Sequence, residues 1–163
     1  MNEAAVLGWF ESTWLGEFVR NTFWVFPTCE TLHFFGLSIL LGALLMLELR
    51  LLGFMPQIPI RPALAFVPIA IGGFLLNLIT GIFFFCADPF NYWPNPGFKI
   101  KMALILLAGL NALWFEFAER RKILALPEGA DVGLQAKVIA GLSLALWVSI
   151  IVMGRLLPYT GSG

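Results

Sequence analysis

The stretch that decides the fold is WVFPTCETLHFFGLSILLGALLMLELRLLG, residues 24–53. It is apolar over most of its length, and about 20 such residues form a helix that crosses roughly 30 Å of hydrocarbon. Near its start lie Glu30 and, three residues later, His33, the only histidine of the chain. Side chains three residues apart share one face of a helix. The stretch therefore predicts a membrane-spanning helix that carries a polar pair in its first turns.

The composition of the whole chain agrees with this interpretation. Of 163 residues, 60% are hydrophobic and only 12% are charged, whereas a soluble domain is about half apolar and a quarter charged. Such a chain cannot cover a water-facing surface with polar groups, which excludes a soluble globular protein. The formal net charge of zero also argues against nucleic acid as a partner. The expected partner is the lipid bilayer.

The hydropathy pattern predicts a single transmembrane domain over residues 1–163, with four spans at about 27–49, 63–87, 98–119 and 137–157. The first span starts earlier if Pro27 lies inside the helix. The third and fourth spans are free of charge only over residues 102–115 and 138–154, so their flanking charged side chains must reach outward. Short connections make consecutive spans neighbours, and the expected fold is an all-α, up-down four-helix bundle.

The segment over residues 4–20 predicts an amphipathic helix that lies on the membrane surface. Its apolar side chains recur at helical spacing, opposite acidic ones: Val6, Leu7, Phe10, Trp14 and Phe18. Because Glu3, Glu11 and Glu17 precede the first basic residue, the segment is the reverse of a basic signal-peptide start. We therefore expect no cleavable signal sequence here.

The basic residues predict the orientation. Two loops, one between the first and second spans and one between the third and fourth, should lie on the same side of the membrane. Six basic residues flank these loops and four lie on the other side; the six are Arg50, Arg61, Arg120, Arg121, Lys122 and Lys137. Basic residues favour the cytoplasmic side. The expected location is the bacterial inner membrane, with both termini and the interfacial helix on the outer, periplasmic side.

A polar cluster is expected at the outer end of the bundle. At 1.5 Å per residue, Glu30 lies about 5 Å and His33 about 9 Å below a helix start at Pro27. Lys101 and Arg155 lie at a similar level on the third and fourth spans, and the second span contributes Asn77 or Thr80. The candidate binding residues are therefore His33, Glu30, Lys101, Arg155 and Asn77.

Three kinds of ligand fit this cluster. The first is haem b with His33 as axial ligand and Arg155 or Lys101 on a propionate. Because the chain has one histidine, the second axial position is taken by Met102 or Met153, by a ligand from another subunit, or by none in a five-coordinate iron. The second is copper, bound among soft ligands at one level: His33, Met102, Met153, Cys29 and Cys86. The third is a quinone-like molecule, with Glu30 and His33 exchanging protons.

A purely structural interpretation stays open beside these. Glu30 is favourable near a helix N-terminus, and it could pair with Arg155 to fix the helix register. His33 could hydrogen-bond a neighbouring helix and do nothing else. Cys29 and Cys86 either form a disulfide or pack as small apolar residues.

Three motifs carry a resemblance to a family: Leu32-His33, the turn Asn-Pro-x-Phe-x-x-Lys over residues 95–101, and Gly154-Arg155. Over nearly its whole length the chain resembles small uncharacterised bacterial four-helix membrane proteins. The resemblance implies His33, Lys101 and Arg155 as matching positions, with Glu30, Asp88 and Asn111 secondary. Relatives often carry histidine where this chain has Glu116. More distantly the layout is similar to copper-resistance D-type proteins and the small membrane protoporphyrinogen oxidase, whose histidines serve metal, haem or tetrapyrrole chemistry.

The leading functional expectation is a small cofactor- or ligand-binding membrane subunit that supports redox or haem/metal chemistry around His33. One alternative is a structural or accessory subunit without chemistry of its own. Another is a small-solute transporter, which would have to oligomerise because one four-helix bundle forms no path. Association with itself or with other membrane subunits is expected in each case. The sequence leaves open whether the protein is an enzyme.

Overall fold

The computed structural model of the protein describes residues 2–127 and 130–161. Within these ranges the chain is helical and contains no strand. The helices are α1 (Glu3–Glu11), α2 (Trp14–Asn21), α3 (Val25–Leu52), α4 (Ile60–Leu64), α5 (Phe66–Ala87), α6 (Pro89–Tyr92), α7 (Pro96–Trp114), α8 (Arg120–Leu124) and α9 (Leu134–Thr160). A π-helical turn over Phe115–Glu119 joins α7 to α8.

Four helical stretches are long and apolar enough to cross a membrane: Val25–Leu52, Ile60–Ala87, Pro96–Leu124 and Leu134–Thr160. The prediction of an all-α, multi-pass membrane protein in contact with lipid is confirmed at this level. Each stretch is longer than its predicted span. The largest difference is in the third stretch, where the backbone stays helical beyond the predicted end at residue 119, through Arg120–Leu124.

Helix α3 begins at Val25, so Pro27 lies inside its first turn rather than at its start. Proline is tolerated there because the first backbone N–H groups of a helix have no partner within the helix. The helix ends at Gly53, whose φ of 91° is the left-handed conformation that glycine adopts most readily. Phe54 N then donates to Leu49 O at 3.0 Å, and this bond satisfies a carbonyl of the last turn.

The N-terminal segment forms two helices where the sequence predicts one. The Thr13 hydroxyl donates to Phe10 O at 2.6 Å and accepts from Gly16 N at 3.2 Å. Thr13 therefore closes α1 and caps α2, since a threonine oxygen in this position satisfies a free N–H of the first turn. The two short helices contact α3, α5 and α6. We call this end of the molecule the α1–α2 end and the opposite one the α4–α8 end.

The long helices pack in the order α5, α3, α9, α7. Helix α3 packs along both α5 and α9, and α7 packs along α9. In the described residues α5 and α7 form no comparable interface, although the Phe85 and Phe98 rings stack with their centroids 5.6 Å apart. The largest buried apolar cluster joins α3, α4, the π-helical turn, α8 and α9 toward the α4–α8 end.

Candidate functional site

His33 reaches from α3 to a buried threonine of α5. Its Nδ1 lies 2.7 Å from Thr80 Oγ1, and Thr80 is only 2% exposed. The Thr80 oxygen also lies 2.8 Å from Leu76 O, to which the hydroxyl donates. Because a hydroxyl has one hydrogen, its oxygen can then only accept from Nδ1–H. This arrangement selects the Nδ1–H tautomer and leaves the Nε2 lone pair available to a ligand.

Two glycines bring α3 and α5 close enough for this hydrogen bond. A Cβ on Gly36 would lie 3.0 Å from Gly73 O, and a Cβ on Gly73 would lie 2.6 Å from Leu40 N. Small residues allow this close approach in membranes, where packing rather than the hydrophobic effect drives helix association. The Gly36–Gly73 contact therefore sets the separation of the helices below the His33–Thr80 pair.

A pocket of about 110 Å³ adjoins His33 at the α1–α2 end. Three of the helices contribute to its walls, and the residues that line it are Phe26, Glu30, His33, Phe34, Phe84 and Tyr92. Glu30 and His33 thus lie at one pocket, as their spacing of three predicts. The Phe84 ring packs against the imidazole with the centroids 5.4 Å apart.

Tyr92, in the short helix α6, places a phenol at this pocket. Burial raises the pKa of Tyr92, and the carboxylates of Asp88 and Glu30 raise it further. The Asp88 side chain in turn caps α6, since Asn91 N donates to Asp88 Oδ1 at 3.3 Å. The phenol therefore stays neutral at physiological pH, and the carboxylates give this side of the pocket a negative potential.

Lys101 lies near His33 but does not line the pocket. Its ammonium is directed at α9, where a Cβ on Gly154 would lie 3.6 Å from Lys101 Nζ. Its charge still acts on the imidazole of His33. Among the described residues no carboxylate lies within 4 Å of this ammonium. Lys101 is therefore a cation without an ion-pair partner in the part of the chain that the structure describes.

Arg155 and Asn77 have other surroundings. Arg155 is exposed, and its guanidinium lies over the Tyr159 ring, 6.0 Å from the centroid. The Asn77 amide donates to Gly73 O at 3.0 Å within α5. Neither residue lines the His33 pocket. The structure thus places Glu30 and His33 at one pocket and leaves Lys101, Arg155 and Asn77 outside its lining.

The predicted metal ligands do not form a cluster with carboxylates or further histidines. Across residues 2–127 and 130–161, no group of three or more His, Cys, Asp or Glu side chains could hold a metal ion. Cys29 and Cys86 are buried free thiols rather than a disulfide. Met102 is 45% exposed, and Met153 is half-buried.

Phe84, at the site, and Glu48, about four turns further along α3, carry little signal in the sequence. Phe84 lies one helical turn from Thr80 on α5, so helical spacing could have assigned it to the same face. Glu48 of α3 is only 3% exposed, and its Oε2 has no hydrogen-bond partner. The sequence places Glu48 near the end of a span beside Arg50, where a charged residue is expected to reach outward.

A second, larger depression of about 430 Å³ lies at the α4–α8 end. It is lined by Glu116, Phe117, Arg120, Arg121 and Leu124, all from the π-helical turn and α8. The Glu116 carboxylate pairs with Arg120 at 2.5 Å. A single helical stretch forms this depression, and Arg120, one of its two arginines, is neutralised by Glu116.

Comparison with known proteins identifies no relative for this arrangement: the chain matches no protein-family model, no curated protein and no solved structure. Membership of the small four-helix membrane protein family, inferred from residues 95–101 and the other motifs, therefore stays a prediction. The chemistry of the site has to be inferred from His33, Glu30 and the groups around them.

Proposed function

We propose that the protein is a small ligand-binding integral membrane subunit whose site is the His33 pocket at the α1–α2 end. The observation that carries this proposal is the hydrogen bond between His33 Nδ1 and Thr80 Oγ1. It orients the ring, fixes its tautomer and leaves Nε2 available next to Glu30. A histidine held from behind in this way is typical of a residue that meets a ligand or metal with its other nitrogen.

The size of the pocket favours a small ligand. At about 110 Å³ it is well below the roughly 300–1,000 Å³ of cofactor and drug-sized sites, so it favours a ligand smaller than haem. Of the two predicted propionate partners, Arg155 lies over Tyr159, whereas Lys101 lies near His33 but outside the pocket lining. A small organic molecule, a quinone head group or a single metal ion on Nε2 agrees with the volume. Redox or metal chemistry therefore remains part of the proposal only if the redox group or metal is small enough for this pocket.

The alternative of a structural or accessory subunit also has an observation in its favour. Asn111 Nδ2 donates to Ile139 O at 3.2 Å, so polar groups elsewhere in the fold serve helix packing alone. The His33–Thr80 bond could do the same. An oligomeric small-solute transporter is the third proposal.

We further propose an up-down four-helix bundle in the bacterial inner membrane, with both termini outside and α1 and α2 on the outer surface. Large exposed aromatic side chains at this end support the surface placement, since tryptophan and phenylalanine favour the membrane interface: Trp9 is 60%, Trp14 74% and Phe23 91% exposed. Homo-oligomers or other membrane subunits would cover part of the apolar surface. We also propose that the protein belongs to the small bacterial four-helix membrane protein family that its motifs resemble.

The orientation predicts a labelling pattern. In a variant with Cys29 and Cys86 replaced by alanine, single cysteines at the exposed positions Pro94 and Pro127 lie on opposite sides of the membrane. A membrane-impermeant maleimide added to intact cells should label Pro94→Cys only, because the basic loops stay inside. Labelling of Pro127→Cys alone would reverse the proposed orientation, and labelling of both without lysis would contradict the number of spans between them.

The ligand site predicts an effect of Thr80. Thr80→Val keeps the side-chain shape and removes the hydrogen-bond acceptor of His33, so binding of a short-chain quinone in detergent should weaken about tenfold. His33→Ala should abolish it. Thr31→Val is the matched control, because Thr31 is exposed and bonds only Pro27 O of its own helix. Calorimetric titration measures the affinities.

The structural alternative gives a different pattern in the same variants. If the quinone binds His33→Ala and the wild-type protein equally while the unfolding midpoint of the variant falls, His33 is a packing residue. The ligand-binding proposal then fails for this pocket.

A further inference from the structure

We infer that the His33 pocket binds the ammonium group of a small organic amine. This inference rests on the proposed function, because it names the ligand class of the same pocket. Three features carry it: the aromatic walls, the charge of Glu30, and the acceptor nitrogen of His33.

The walls of the pocket are mainly aromatic. Four of the six lining residues are Phe26, Phe34, Phe84 and Tyr92. The Phe26 and Phe84 rings lie with their centroids 5.3 Å apart and their planes inclined at 53°, so they form a corner rather than a flat stack. Aromatic faces carry a negative potential that attracts cations, and cages of such rings recognise substituted ammonium groups.

Glu30 gives the pocket a negative charge, and its carboxylate forms no ion pair in the part of the chain that the structure describes. Among the described residues, no Lys, Arg or His nitrogen lies within 4 Å of this carboxylate. The adjacent His33 faces Thr80 through Nδ1, and the Lys101 ammonium is directed at Gly154. A cationic ligand would supply the missing counter-charge, whereas an anionic ligand would meet a like charge.

His33 adds a hydrogen-bond acceptor to the carboxylate. With Nδ1–H donated to Thr80, Nε2 can accept from an N–H⁺ group of the ligand. The pocket therefore offers an ammonium two acceptors, Glu30 and Nε2, and an apolar surface for its alkyl substituent. The volume of about 110 Å³ suits an amine with a few carbon atoms.

Two sources present this chemistry at a membrane surface. One is a free alkylamine, and the other is the ethanolamine head group of a phospholipid. Both place an ammonium with N–H donors beside an apolar chain. The structure defines the recognised group, and a comparison of lipid compositions distinguishes the two sources.

The test compares three probes of equal length by calorimetric titration in a non-ionic detergent: n-butylammonium, n-butanol and butyrate. We expect n-butylammonium to bind at least about tenfold more tightly than n-butanol, and butyrate not to bind, because only the cation gains from the carboxylate and the ring faces. Glu30→Gln should remove this preference. Glu17→Gln is the matched control, because Glu17 is an exposed carboxylate on α2 outside the pocket.

A second arm identifies the source. In nanodiscs that contain phosphatidylethanolamine, binding of n-butylammonium weakens relative to phosphatidylcholine alone if the ethanolamine head group occupies the pocket, since both lipids are zwitterionic and only the former has N–H donors. It is unchanged if a free amine is the ligand. Either result supports the inference, provided that Glu30→Gln removes the binding.

Failure of the amine inference and failure of the ligand-site proposal give different results. If n-butylammonium binds no better than n-butanol while quinone binding still depends on His33, the amine inference is overturned and the ligand site stands. If neither probe depends on Glu30 or His33, both proposals fail. A preference for n-butylammonium that survives in Glu30→Gln also overturns the inference, because the cation then binds elsewhere.

Discussion

Gly73→Ala is expected to destabilise the protein by about 1–3 kcal/mol, as overpacking of a tight interface does. The added Cβ would lie 2.6 Å from Leu40 N and 2.8 Å from Gly36 O. Both are backbone atoms of α3, which cannot turn aside as a flexible side chain does. The two helices must therefore separate, which lowers the midpoint of thermal unfolding in detergent.

The neighbouring glycine provides the control. A Cβ on Gly72 meets nothing within 4 Å, so Gly72→Ala should leave stability unchanged or raise it by up to about 1 kcal/mol, since alanine favours the helix. Gly73→Ala should also weaken ligand binding, because the contact at Gly36 sets the distance between His33 and Thr80. Equal unfolding midpoints for the two variants would contradict the backbone contact between α3 and α5.

Arg20→Met is expected to release α1 and α2 from the rest of the protein. The guanidinium donates to Ala87 O at 3.1 Å, to Cys86 O at 3.4 Å and to Glu11 O at 2.7 Å. It therefore satisfies carbonyls at the end of α5 that have no partner within the helix. Loss of these charged hydrogen bonds should cost about 2 kcal/mol, at the low end for several such bonds because the arginine is partly exposed.

The Cys86 thiol reports on this release. Gly16 of α2 packs against the Cys86 carbonyl, and the thiol is buried. In Arg20→Met, a membrane-impermeant maleimide should label Cys86 several times faster than in the wild type. Lys99→Met is the control, because Lys99 contacts the Trp93 ring and no carbonyl of α5. Unchanged labelling of Cys86 in Arg20→Met would show that α2 stays in place without the arginine.

Local pattern predicts most of the fold and part of the site. Long apolar stretches with few charged residues predict the four membrane-spanning helices, because backbone polar groups in lipid must be hydrogen-bonded within the segment. The spacing of three predicts that Glu30 and His33 share a pocket, because one helix fixes both positions. These predictions depend on residues close together in the chain.

The partners of these residues on other helices were harder to predict. The sequence predicts Asn77 as the binding residue with Thr80 as the alternative, whereas Thr80 contacts His33. A shift of α5 along α3 decides between the two, and the Gly36–Gly73 contact sets that shift. Arg155 is predicted in the cluster but is exposed above Tyr159. Helical spacing defines which residues share a face of α9, but not which neighbouring helix that face meets. Glu48 gave no signal, because a charge near a span end is ordinary.

The order of the long helices has a consequence for how changes in the chain reach the pocket. All six lining residues lie between Phe26 and Tyr92, so one continuous half of the chain carries the pocket. Residues beyond Pro96 reach it through the interface of α3 with α9 and through the charge of Lys101. Substitutions beyond Pro96 are therefore expected to alter the pocket only indirectly, whereas substitutions between Phe26 and Tyr92 can change its walls.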